Sequence, residues 1–155
     1  MKRWVCVAGA LLAIVLLGDQ SSPGMDVGML KPVQIVVVKK VGENILVQTD
    51  TEDQGIGKDL PAAVETMKAS ASGEIFLETA DHLLVEPACM DVLADAIQLL
   101  RPACTLCLIE GEPNMDTLGD FLKLHAPQVT LTEYRAGISD LQYLKCDEGR
   151  MCIEP

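Results

Sequence analysis

The sequence predicts an α/β fold with a small mixed sheet, in which an N-terminal hairpin is followed by alternating helices and strands. Residues 33–38 and 45–49 are rich in β-branched side chains, and three later segments repeat apolar residues at helical spacing. Short apolar runs separate those segments. About three helices are therefore expected to cover a partly parallel sheet.

The order of the elements follows from local signals. Asp59 and Pro61 mark a helix start, and Pro102 must end the helix that Pro87 opens. Residues 82–85 are expected to form the central strand. The predicted elements are a hairpin of residues 33–38 and 45–49, a loop over 50–57, a helix over 59–73, strands over 74–77 and 82–85, a helix over 87–101, a strand over 103–109, a helix ending before residue 127, and a strand over 129–131.

Composition changes divide the chain into four parts. Residues 1–20 are predicted as an export segment, residues 21–31 as a linker, and residues 32–131 as the α/β domain. Residues 132–155 mix Gly, Asp and Cys with isolated apolar positions, which fits either an edge hairpin or a loosely held tail.

The export segment has the layout of a secretory signal. Lys2 and Arg3 precede a run of apolar or small residues over 5–17, and breakers follow. This run spans about 20 Å as a helix, less than the roughly 30 Å of a bilayer core, which favours a signal peptide. The bulky residues before Gly18 fit a cleavage site poorly, so an uncleaved signal anchor is the alternative. Cys6 lies inside the run, and no lipid attachment is expected. Either way, the domain is predicted to be exported.

Composition and charge limit the possible partners. The 155 residues are 49% hydrophobic and only 3% aromatic, so the core must be aliphatic and little surface is available to stack bases or sugars. The net charge is −11, and it is −13 without Lys2 and Arg3. This charge repels phosphates, so nucleic acid is not expected as a partner. It favours solubility or a basic partner.

The cysteines offer the most chemistry. Cys104 and Cys107 have the spacing of a redox motif, but in a predicted strand they point to opposite faces, and buried structural thiols are expected. Cys146 and Cys152 flank a turn-like insert and form the best candidate for a disulfide. A zinc site made by these four cysteines has the wrong spacing and is disfavoured.

No catalytic constellation emerges from the remaining motifs. His82 lies four residues from Glu78 and from Glu86, too far along a strand for the three to act as an acid/base cluster. His82 and His125 are both interpreted as structural. The sequence contains neither a Gly-rich phosphate loop nor a serine nucleophile elbow. The protein is therefore expected not to be an enzyme and to have no small-molecule cofactor.

A combination of short motifs in the middle of the chain points to a family. Gly57-Lys58 opens a helix, Phe76 and His82-Leu83 precede a central strand, and a later strand ends in a glycine turn at Gly111. This combination resembles the N-terminal domain of the Ger(x)C spore-germination proteins over roughly residues 33–125. Those proteins are longer lipoproteins with further domains, whereas this sequence lacks a lipobox cysteine. The resemblance implies a stand-alone relative, held at or beyond the membrane, that acts by binding.

Two functional hypotheses follow. The first is an exported, non-enzymatic binding or assembly module with a protein partner at the membrane or envelope, associated with sporulation or germination. The alternative is an exported thiol-dependent or redox protein that uses Cys104 and Cys107.

Overall fold

The computed structural model describes residues 30–154 apart from Ser139 and Glu148. The predicted export segment and most of the predicted linker lie outside these residues. In the described part, the strands are β1 Leu30–Pro32, β2 Ile35–Val41, β3 Asn44–Thr49, β4 Gln54–Gly57, β5 Glu74–Phe76, β6 His82–Val85, β7 Thr105–Gly111, β8 Tyr143–Asp147 and β9 Arg150–Glu154. The α-helices there are α1 Leu60–Ser70, α2 Leu93–Leu99, α3 Met115–Leu124 and α4 Leu131–Arg135. No helix of this part is both long and apolar enough to cross a membrane.

Seven of the strands form one mixed sheet, which confirms the predicted α/β class. Their order is β4-β3-β2-β6-β7-β8-β9. Four neighbouring strands, β2, β6, β7 and β8, are parallel. β3 pairs antiparallel with both β2 and β4, and β9 pairs antiparallel with β8. β6 occupies the middle position, as its continuous apolar run predicts.

Helices cover both faces of this sheet. Face A, which includes Val36, Val38 and Leu83, packs against α1 and α2. Face B, which includes Ile35 and Val37, packs against α3. Alternate side chains of a strand point to opposite faces, so the continuous valine run of β2 supplies both cores.

One predicted strand pairs outside the main sheet. The segment predicted over residues 74–77 forms β5, which pairs in parallel with β1 to make a separate two-stranded sheet. The hydroxyl of Thr79 holds this arrangement, since it accepts from the backbone N–H of Val33 at 3.0 Å and lies 2.9 Å from the Val33 carbonyl. β1 begins at Leu30, inside the predicted linker, so strand structure is present before residue 32.

The loop predicted over residues 50–57 is wrong in its second half, which forms the edge strand β4. The loop prediction rests on the polar residues and the two glycines, Gly55 and Gly57, of this segment. In the structure the two glycines allow α1 to approach the strand closely: a Cβ atom on Gly55 would lie 2.2 Å from the carbonyl oxygen of Ala63. The glycines therefore serve helix–strand packing here.

The start of α1 follows its capping residue, whereas α2 begins without a side-chain cap. Asp59 caps α1 by accepting from the backbone N–H of Ala62 at 2.9 Å. The helix predicted from residue 87 begins instead as a 3-10 segment, Pro87–Val92, because Cys89 has non-helical dihedral angles. Regular α-helix starts only at Leu93.

The strand predicted over residues 129–131 is wrong. Thr130 makes a single bridge with Thr105, and Leu131 already begins α4. Thr130 and Glu133 form a capping box, in which each side chain satisfies a backbone N–H at the other end of the first turn. This local signal ends the extended segment and adds a fourth helix to the three expected.

The C-terminal residues form a hairpin, one of the two forms that the sequence left open. β8 pairs in parallel with β7, and β9 then pairs with β8 in the antiparallel sense. Leu144 of β8 is fully buried in the core of face B. The hairpin is thus part of the main sheet.

Candidate protein-interaction surface

The cysteines of the Cys104-x-x-Cys107 segment are separated by the sheet. Cys104 belongs to the core of face A and Cys107 to that of face B, and both are fully buried. Burial raises the pKa of Cys104 to about 12 and that of Cys107 to about 11. Both thiols therefore stay protonated near neutral pH, and they cannot reach each other to form a dithiol pair.

The other predicted cysteine pair is also split between faces. Cys146 lies opposite Met151 in the hairpin, whereas Cys152 lies opposite Lys145. The two cysteines thus belong to neighbouring residue pairs of the hairpin, and neighbouring pairs point to opposite faces of the sheet. Both thiols are free. The predicted Cys146–Cys152 disulfide is not formed, because the turn places their side chains out of register. Cys152 is exposed, and Cys146 is half-buried.

The two histidines have structural surroundings. His82 is half-buried in β6, and its Nδ1 lies 2.7 Å from the Thr105 hydroxyl oxygen. Burial lowers its pKa below the ordinary value. Glu86 instead accepts from the backbone N–H of Lys40 at 2.7 Å. His125 is exposed at the end of α3, where its ring centroid lies 4.8 Å from that of Phe121.

Metal ligands do not converge within residues 30–154, with Ser139 and Glu148 left aside: no group of three or more His, Cys, Asp or Glu side chains there could hold an ion. The four-cysteine zinc arrangement considered from the sequence is not assembled, since Cys104 and Cys107 lie on opposite faces.

A buried lysine, which the sequence analysis missed, lies at the carboxyl end of the parallel strands. The side chain of Lys39 is only 8% exposed, and its Nζ donates to Glu112 Oε2 at 2.5 Å. Glu112 follows β7 and is 85% exposed. Strand alternation could have predicted that Lys39 is buried, because it places Ile35, Val37 and Lys39 on the same face of the sheet.

Next to Lys39, part of face B is not covered by any helix of residues 30–154. Leu46 of β3 lies beside Lys39, and Ile56 of β4 lies beside Leu46, so the three form a row across the strands. Ile56 is 49% exposed, Val41 at the end of β2 is 48% exposed, and Leu46 is half-buried. The core under α3 includes no residue of β3 or β4. We call Val41, Leu46 and Ile56 the open-face patch.

The open-face patch adjoins an exposed strand edge. β4 is the outermost strand on its side of the sheet, so one side of its backbone has no partner strand in the described part of the chain. Natural edge strands are commonly protected by charged residues, whereas β4 carries the half-exposed Ile56. Apolar side chains exposed together beside such an edge are typical of an interaction site.

Comparison with protein-family models, curated proteins and solved structures finds no match to this chain.

Proposed function

We propose that this chain is an exported, non-enzymatic binding and assembly module that docks a protein partner at the membrane or envelope. The open-face patch is the observation that supports this proposal most directly. It presents Val41, Leu46 and Ile56 on the half of face B that α3 leaves uncovered. Burial of such a patch by a partner removes apolar surface from water, which is the main driving force of protein association.

The charge of the chain suggests the character of the partner. The net charge of −11 makes this protein repel other acidic surfaces. Glu43, in the turn between β2 and β3, lies two residues from Val41 of the open-face patch. The charge of Glu112 is paired with that of Lys39. A partner with an apolar centre and a basic rim fits this arrangement, and its binding should weaken as salt increases.

The cellular setting rests on the sequence. The export segment over residues 1–20 supports a location beyond the cytoplasm, either secreted or tethered by the uncleaved segment. The resemblance to the Ger(x)C N-terminal domain supports a role in sporulation or germination.

Charge substitution in the open-face patch tests the proposal. The tagged full chain would be used to capture partners from membranes of the cells that produce it, with the Ile56→Lys variant alongside. A lysine in a buried apolar contact should reduce recovery of the partner by roughly ten-fold or more. Partner recovery is measured by quantitative mass spectrometry.

The matched control is Leu124→Lys, which places the same charge at an 80% exposed position at the end of α3. This variant should recover the partner as the wild type does. If both variants recover the same proteins in equal amounts, or if no protein is recovered reproducibly, the open-face patch is not the docking site.

The thiol-dependent alternative has less support. Cys104 and Cys107 are both fully buried, lie on opposite faces, and have raised pKa values, so neither sulfur is accessible to a substrate or reactive as a thiolate.

A further inference from the structure

The outer edge of β9 is free for pairing on its side of the described sheet. The carbonyl of Gln142 accepts a hydrogen bond from β7, so the backbone groups of Lys145, three residues later, point the other way, toward β9. Lys145 lies opposite Cys152, and these two residues therefore form a hydrogen-bonded pair. The backbone groups of Met151 and Ile153 then point outward, away from the sheet.

The sequence of β9 is complementary to itself when two copies run antiparallel. With Cys152 opposite Cys152 of a second copy, Arg150 lies opposite Glu154, and Met151 lies opposite Ile153. The charged pair occurs twice by symmetry. The apolar pair, also present twice, lies on face B, where Met151 and Ile153 already pack against the core. The outward backbone groups of these two residues would supply the interstrand hydrogen bonds.

We propose that β9 is a homodimerisation edge, at which two copies of this chain pair antiparallel about Cys152 and are joined by a Cys152–Cys152 disulfide. The proposal concerns the edge opposite β4 and does not depend on the open-face patch. Five residues of strand pairing give a small interface between two chains that each carry a net charge of −11, so the covalent bond is needed to keep the dimer together against this repulsion.

The geometry of the paired edge suits this bond. Cys152 directs its backbone groups toward β8, so across the dimer edge it forms a non-hydrogen-bonded pair with its symmetry mate. Cα atoms in such a pair lie about 4.5 Å apart, within the range of about 4.4–6.8 Å that disulfides occupy. The thiol is exposed on the same face as Lys145 and Arg150, and no helix of the described chain packs over it.

Bond formation requires an oxidant, which is a small-molecule disulfide such as oxidised glutathione. The Cys152 thiolate of one copy attacks it, releases one small thiol and keeps the other half as a mixed disulfide. The Cys152 thiolate of the second copy then attacks the protein sulfur and releases the second small thiol. Two protein thiols are oxidised, one small disulfide is reduced to two thiols, and the thiol protons end on the released molecules.

The experiment treats the full chain with oxidised glutathione and follows dimer formation on non-reducing gels, with the linked cysteines identified by peptide mass spectrometry. We expect a dimer that maps to Cys152–Cys152 and disappears with a reductant. Cys152→Ser should abolish it. Cys146→Ser, which removes the thiol on the other face of the hairpin, should form the dimer at the wild-type rate.

Charge reversal tests whether β9 itself pairs. Arg150→Glu places like charges opposite each other at both ends of the pairing and should slow dimer formation roughly ten-fold. Arg150→Glu combined with Glu154→Arg exchanges the two charges and should recover part of the lost rate; recovery is incomplete because Glu154 also pairs with Lys145 of its own chain at 2.7 Å, and the exchange breaks that ion pair. The proposal is overturned if Cys152 stops at the glutathione adduct of a monomer, if the dimer maps to other cysteines, or if Arg150→Glu leaves the rate unchanged.

Discussion

Among single residues, His82 links the stability of the fold to pH. Burial lowers the pKa of its imidazole below the ordinary 6.5. Near pH 6.5 the unfolded chain therefore binds a proton that the folded protein does not yet accept. Because the unfolded state binds more protons, the free energy of unfolding falls as the pH decreases through 6.5. The decrease ends below the folded-state pKa, where both states are protonated.

We therefore predict that urea denaturation gives a lower free energy of unfolding at about pH 5.5 than at about pH 7.5, and that His82→Gln removes most of this difference. An unchanged pH slope in the His82→Gln protein would show that another group is responsible.

At the scale of secondary-structure elements, the contact between α1 and β4 depends on the missing side chain of Gly55. A Cβ atom there would lie 2.2 Å from the Ala63 carbonyl oxygen and 2.4 Å from the Met67 backbone nitrogen. Both are backbone atoms of a helix, so neither can move without displacing α1. We predict that Gly55→Ala lowers the free energy of unfolding by about 3 kcal/mol, measured by urea denaturation.

The matched control for this substitution is Gly119→Ala in α3. Among the described residues, and apart from the helix's own backbone, a Cβ atom at Gly119 meets only the Ile35 Cδ1 atom, at an ordinary contact distance of 3.7 Å. Alanine is preferred over glycine inside a helix, so this variant should be stabilised by about 0.5–1 kcal/mol. Equal effects of the two substitutions would mean that close helix–strand packing is not what requires glycine at position 55.

At the scale of the whole molecule, we expect the C-terminal hairpin to unfold in the same cooperative unit as the central strands. Leu144 is fully buried beneath α3, and β8 pairs directly with β7. We predict that Leu144→Ala lowers the free energy of unfolding by about 2–5 kcal/mol. Leu124→Ala, at an 80% exposed position, should change it by less than about 0.5 kcal/mol.

Native-state hydrogen exchange gives an independent measurement of this cooperativity. Backbone amides of β8 that are bonded to β7 should open with the same free energy as those of β6, because both strands lie inside one sheet. Amides of β8 that exchange much faster than those of β6 would indicate that the hairpin opens separately.

The sequence by itself determined the features that depend on neighbouring residues. Asp59 predicted the start of α1, and the apolar run of residues 82–85 predicted the central strand. Strand alternation predicted that Cys104 and Cys107 lie on opposite faces of the sheet. Caps and hydrophobic periodicity act within a few residues, so they can be recognised without knowing the rest of the fold.

Only the tertiary structure decided which segments meet. Pairing with β3 made a strand of Gln54–Gly57, and its glycines let α1 pack closely on it. Tertiary contacts also paired β5 with β1 outside the main sheet. The hairpin register turned Cys146 and Cys152 to opposite faces. The tertiary structure also showed that α3 leaves the open-face patch uncovered. Strand pairing, register and burial depend on contacts between residues far apart in the chain, and no local sequence signal specifies which distant segment will supply them.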